Sequence, residues 1–133
     1  MYNHCMEKKL SERKRFSLVA RAKSFTHAFR GWGILLKTTP NFWIQMFFAI
    51  FVIVLGIILE ISSIEWTLLV LSIGFVFVSE AFNTAFEIDI DLTSPTYHPY
   101  ARDTKDVAAG AVLLSVITSV IIGLIIFLPK IFS

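Results

Sequence analysis

Glu80, Asn83, Glu87 and Asp91 recur at spacings of three and four in a run whose upstream part, Trp66 to Val78, carries no charge. At 100° per residue on a helix, Asn83, Glu87 and Asp91 fall about 60°, 20° and 20° from the direction of Glu80, and Thr84 about 40°. One narrow face therefore carries five polar groups, while Asp89 points nearly opposite, at about 180°. Carboxylates placed this way suit two kinds of chemistry. They can hold a hard cation such as Mg²⁺, which takes oxygen ligands and keeps waters and phosphate oxygens. One of them can also act as a general base. Asn83 adds a neutral carbonyl ligand or a donor without adding repulsion.

A second polar cluster, Asp103-Thr104-Lys105-Asp106, begins the next helical run. Lys105 is a compact cation on a long stem and suits a transferring phosphate. Asp106 can hold Lys105 in place or ligate metal, whereas Asp103 reads as a helix cap. Ala108-Ala109-Gly110-Ala111 then allows helices to approach closely, which would bring the two clusters together. The blander reading of the stripe is a polar seam that glues helices, but two full carboxylates exceed what glue needs.

The elements that position these groups follow from pattern. Residues 1–10 read as a polar tail and 11–133 as one domain. From about 11 to 38, Leu18, Ala22, Phe25, Phe29 and Trp32 form an apolar stripe, with Arg13, Arg15, Arg21, Lys23 and Arg30 on other faces. Such a helix suits a membrane interface. Thr39-Pro40-Asn41 breaks the pattern, because proline lacks an N–H and disfavours helix at the residue before it. Spans are expected at about 42–59, with Gln45 near its start, at 66–91 and at 104–128. Glu60 to Glu65 makes a short turn, and Leu92 to Pro99 a polar loop holding Pro95, His98 and Pro99.

Composition agrees. Of 133 residues, 56% are hydrophobic, thirteen are Phe and only 17% are charged, more apolar surface than a soluble domain of this size can hide. Nine of the twelve Lys and Arg precede Asn41. This block, with Arg102 and Lys105, marks a cytoplasmic N-terminus and loop by the positive-inside rule, with Lys130 the single dissenter. No nucleic-acid partner is expected, since nothing offers a water-soluble platform. Cys5 is the only cysteine and allows no internal disulfide. His4, His27 and His98 lack zinc-ligand spacing. No cleavable signal peptide is expected, because the first forty residues lack a long apolar core. The fold class is all-α membrane protein: a surface helix plus three transmembrane helices.

Glu80-Ala81-Phe82-Asn83-Thr84-Ala85-Phe86-Glu87, Asp91, Ser94 to Pro99 and Lys105 to Val112 together resemble the small integral-membrane lipid kinases, the prokaryotic diacylglycerol kinase and undecaprenol kinase family. The resemblance runs from about Arg21 to the end of the chain. It implies a homotrimer in a prokaryotic cell membrane, with sites between subunits. It also implies ATP with Mg²⁺ as phosphoryl donor and a membrane lipid, diacylglycerol or undecaprenol, as acceptor. Carried over by position, Glu80 is the base, Asn83 positions substrate or metal, and Glu87 binds the metal. Lys105, Asp106 and, more loosely, Arg21 meet the nucleotide. The Ser94–Pro99 loop and the Val107–Val112 run are more similar to the undecaprenol-kinase branch. Two other classes compete: an ion- or proton-conducting helical protein, and a non-catalytic structural module.

The chain departs from the family at Thr39, where members usually carry a metal-binding Glu. One carboxylate ligand is missing. Thr39→Glu is therefore expected to lower the Mg²⁺ concentration needed for half-maximal ATP turnover; identical Mg²⁺ dependence in the two proteins would contradict this.

Overall fold

The computed structural model describes residues 17–133. The polar tail, Cys5, His4, Arg13 and Arg15 lie outside the described residues. Four helices follow: α1 Leu18–Thr38, α2 Pro40–Ile58, α3 Ser63–Thr93 and α4 Pro99–Ile131. There is no strand among the described residues. The last three helices are long and apolar enough to cross a membrane, and the protein is an all-α membrane protein. Of the described residues, 17–34 and 35–133 belong to separate compact units. In the first, the stripe residues Leu18, Phe25, Phe29 and Trp32 are all exposed, as an interfacial helix requires.

Within residues 35–133, prolines start two helices. Pro40 and Pro99 occupy the first helical turn of α2 and α4, where the missing N–H is no loss. This places the start of α4 at Pro99 rather than at 104. The polar loop shrinks to 94–98, because Leu92 and Thr93 complete α3. At its other end α4 runs through Pro129 to Ile131 instead of stopping at 128. The N–H of Phe132 bonds the carbonyl of Leu128 at 3.2 Å, and Lys130 pairs with Glu65 at 3.4 Å. That pair explains the dissenting cation: a Lys in the last turn of α4 meets an acid in the first turn of α3, each favoured by its helix dipole.

The α2–α3 turn is tight. The N–H of Ile61 reaches the carbonyl of Gly56 at 3.2 Å and that of Glu60 reaches Ile57 at 3.3 Å, the two bonds of a Schellman motif. Glu60 holds φ 48°, the left-handed conformation that glycine usually supplies. Gly56 is needed for a different reason: a Cβ there would meet Ile61 Cδ1 and the Trp66 ring at 3.0 Å. Ser62 then caps α3 through a capping box, its Oγ accepting from the Glu65 N–H at 3.3 Å while its own N–H donates to Glu65 Oε2 at 2.7 Å.

The buried residues of α3 include Leu69, Ser72, Val76, Glu80 and Asn83, a single seam spaced by three, four, four and three. Its outer half packs in a core of Ile61, Leu69, Ile126 and Phe127. At mid-height small residues let α4 come close: Ser119 Oγ donates to the Ser72 carbonyl at 3.1 Å, beside fully buried Ser115. The polar stripe is thus the continuation of the packing seam, not a separate face.

Contacts fix antiparallel directions. Thr39, the N-cap of α2, and Gln45 of α2 meet Thr84 and Glu80 of α3. Glu65, Ser72 and Asp91 of α3 meet Lys130, Ser119 and Lys105 of α4. The candidate chemistry therefore gathers at one end of the three spans. Because the left-handed backbone at Glu60 costs a non-glycine residue about 1–2 kcal/mol, Glu60→Gly should raise the unfolding midpoint in detergent and Glu60→Val should lower it. A shared midpoint for all three proteins would contradict the strain.

Candidate functional site

Burial falls along the stripe. Glu80 is 1% exposed and Asn83 8%, whereas Glu87 and Asp91 are exposed. Helix α3 has 31 residues, about 46 Å, against a hydrocarbon core of about 30 Å. Counted from Ser63 on a helix near the bilayer normal, about 20 residues use up that thickness. Glu80 then lies just inside the hydrocarbon edge, and Glu87 and Asp91 lie among headgroups.

Each stripe residue has a partner whose position the helix packing explains. Gln45, on α2, donates from Nε2 to Glu80 Oε2 at 2.6 Å. An ionised carboxylate only accepts, so this contact sets the direction of the amide. Phe42 packs beside Phe77 with ring centroids 5.0 Å apart, bracing α2 against α3 next to this bond. Asn83 donates from Nδ2 to Glu87 Oε1 at 3.2 Å, one turn away. Two buried acceptors, Gln45 Oε1 and Asn83 Oδ1, have no hydrogen-bond partner. Buried polar atoms are seldom left this way, so both await a donor or a cation.

Thr39 is buried and its Oγ1 lies 2.8 Å from Thr84 Oγ1. As the residue before Pro40 it stands at the N-cap of α2, yet its side chain makes no cap bond. The hydroxyl is spent on Thr84 instead. Position 39 thus holds half of a neutral hydroxyl pair.

At the rim, Lys105 is ion-paired with Asp91. Asp106 does not hold Lys105: it is adjacent in sequence on one helix, where neighbours diverge by about 100°, and it lies 4.0 Å from Arg102 Nε. Arg102 also meets Asp103 at 3.3 Å. His98 lies beside Tyr100, ring centroids 5.7 Å apart. Arg21 is on α1, in the first of the two units. Sequence reasoning noted Gln45 only as a polar residue near the start of a span, and gave Asp91 no partner. A usable signal was present. In a hairpin turning near 61–62, positions whose numbers sum to about 124 face each other, which pairs 45 with 80 and 39 with 84.

Among the described residues no three His, Cys, Asp or Glu come together as a metal cage. The oxygens present do fit a cation that arrives with phosphate: the exposed Glu87 carboxylate and the unpartnered Asn83 Oδ1 are hard ligands, and Mg²⁺ takes one or two carboxylates plus phosphate oxygens and water.

Comparison with known proteins gives the family. The family described as prokaryotic diacylglycerol kinase matches residues 26–127. The chain is 45% identical over 108 residues to the undecaprenol kinase of Bacillus subtilis, covering 81% of this chain and 88% of that protein. It is 39% identical over 111 residues to the diacylglycerol kinase of Synechocystis, covering 83% of this chain and 63% of that protein. Against the diacylglycerol kinase of Escherichia coli K12 the identity is 32% over 69 residues, 52% of this chain and 57% of that protein.

The Asp91–Lys105 pair is partly exposed, 69% and 37% for the two side chains, so its worth is at most about 1 kcal/mol. Asp91→Asn should raise the KM for ATP by no more than about five-fold, and Lys105→Met should raise it further. An unchanged KM in Lys105→Met would remove Lys105 from the nucleotide site.

Proposed function

The chain belongs to the prokaryotic diacylglycerol kinase family and is a membrane lipid kinase, and we propose that its acceptor is a polyprenol of the undecaprenol kind, phosphorylated at the cytoplasmic face with MgATP as donor. The observation that carries the site assignment is the burial of Glu80, 1% exposed, at the inner end of a polar stripe that opens at Glu87, Asp91 and Lys105. A carboxylate at the hydrocarbon edge, linked to a polar rim, serves one reactant from the bilayer and another from water.

Glu80 takes the proton of the lipid hydroxyl. The hydroxyl oxygen attacks the γ-phosphorus, the bond from that phosphorus to the β–γ bridging oxygen breaks, and ADP leaves. Glu80 and Glu87 are seven residues apart, about 10 Å along the helix, with Asn83 between them. That separation has room for a hydroxyl and a phosphoryl group in line. A Mg²⁺ arriving with the nucleotide would be held by Glu87 and Asn83 Oδ1 and would neutralise charge on the phosphate oxygens. Lys105, steadied by Asp91, faces the phosphates, with Asp106 as a further nucleotide contact. The rest of the catalysis is positioning.

The polyprenol assignment is supported by the 45% identity to an undecaprenol kinase, against 39% and 32% for two diacylglycerol kinases, and by the Ser94–Pro99 loop. The cytoplasmic face is supported by Arg102, Lys105 and the basic N-terminal block. By family resemblance we take the assembly to be a homotrimer with sites shared between subunits; the exposed apolar surface of α2, including Trp43, Phe47, Phe48 and Phe51, suits contact with lipid.

Glu80→Gln should lower transfer of labelled γ-phosphate to lipid by about 10²–10⁴-fold, the usual worth of a general base, while nucleotide binding persists. Full transfer in Glu80→Gln would remove Glu80 from the base role.

A further inference from the structure

We infer that Gln45 is a positioning residue for Glu80: its amide N–H holds one carboxylate oxygen so that the other is presented to the lipid hydroxyl. This rests on the reading of Glu80 as the base. Gln45 lies on a different helix from every other member of the polar stripe, and its Nε2 is 2.6 Å from Glu80 Oε2. The carboxylate is almost completely enclosed, so water is a poor substitute for that donor.

The residue type matters as much as the place. A glutamine donates without carrying charge, so it orients the base without neutralising it as a Lys or Arg would. It cannot take a proton and does not compete with Glu80 for the one released. A second carboxylate at 45 would place two acceptors 2.6 Å apart; an apolar side chain would leave Glu80 Oε2 enclosed without a donor. The other end of the same amide, Gln45 Oε1, is buried and unpartnered, as is Asn83 Oδ1. A packing residue would leave no such acceptor; a pocket that receives a hydroxyl group has a use for both. Gln45 therefore offers a donor to Glu80 and an acceptor toward a bound hydroxyl.

The experiment uses the full chain in detergent micelles or nanodiscs, with undecaprenol and labelled MgATP, and compares Gln45→Met, Gln45→His and Glu80→Gln. Met has the reach of Gln and no donor; the imidazole N–H of His reaches about as far and restores one. Gln45→Met should lower kcat by about 10–100-fold, the size of losing a partner that orients a reacting group, with the KM for ATP unchanged. Gln45→His should recover most of that loss. If Gln45→Met keeps its kcat while Glu80→Gln is inactive, the positioning role is wrong and the base assignment survives. If Gln45→Met and Gln45→His lose activity equally and both unfold at lower temperature, Gln45 serves packing, and the inference is overturned. If Glu80→Gln is active, the base assignment fails and takes the inference with it.

Discussion

An enclosed carboxylate needs a donor, and in this protein the donor for Glu80 comes from another helix. Leaving an enclosed acceptor without its donor costs about 1–3 kcal/mol, a noticeable part of the roughly 5–15 kcal/mol that holds a typical domain together. Helix α2 must therefore sit where Gln45 reaches Glu80, at 2.6 Å. The neighbouring contacts follow from that placement. Phe42 meets Phe77, and the hydroxyls of Thr39 and Thr84 meet one another. The polar end of the bundle is organised around one hydrogen bond.

The opposite end makes that bond possible by fixing register. The Schellman turn at Glu60, the Ser62 capping box and the Lys130–Glu65 pair set where α2, α3 and α4 start and stop relative to each other. A slip of one residue in either hairpin would swing the stripe by about 100° on α3 and separate Gln45 from Glu80 and Lys105 from Asp91. Stability devices far from the site thus hold its geometry, and the small Ser72–Ser119 contact at mid-height carries the register across the membrane.

Much of this was legible in the sequence because the signals were local. Three apolar runs, the break at Pro40 and the three-four spacing of Glu80, Asn83 and Glu87 gave the helices and the polar face. Two things escaped. The start of α4 at Pro99 was hidden by the polar residues Arg102 to Asp106, among which Asp103 read as a cap but lies inside the helix. The partners of Glu80 and Lys105 were hidden because they sit 35 and 14 residues away in sequence, so they depend on hairpin register and not on periodicity. The absent acid at Thr39 could be seen only against the family pattern; that Thr39 pairs with Thr84 needed the fold.

The central claim is that an enclosed base takes the proton of a lipid hydroxyl, so that the γ-phosphoryl group passes from ATP to lipid rather than to water. The most direct measurement is the stoichiometry of the wild-type chain in nanodiscs supplied with labelled MgATP and undecaprenol. One lipid phosphomonoester per ADP, with little free phosphate, is the expected result. ADP released with the label in inorganic phosphate and none in the lipid would contradict it.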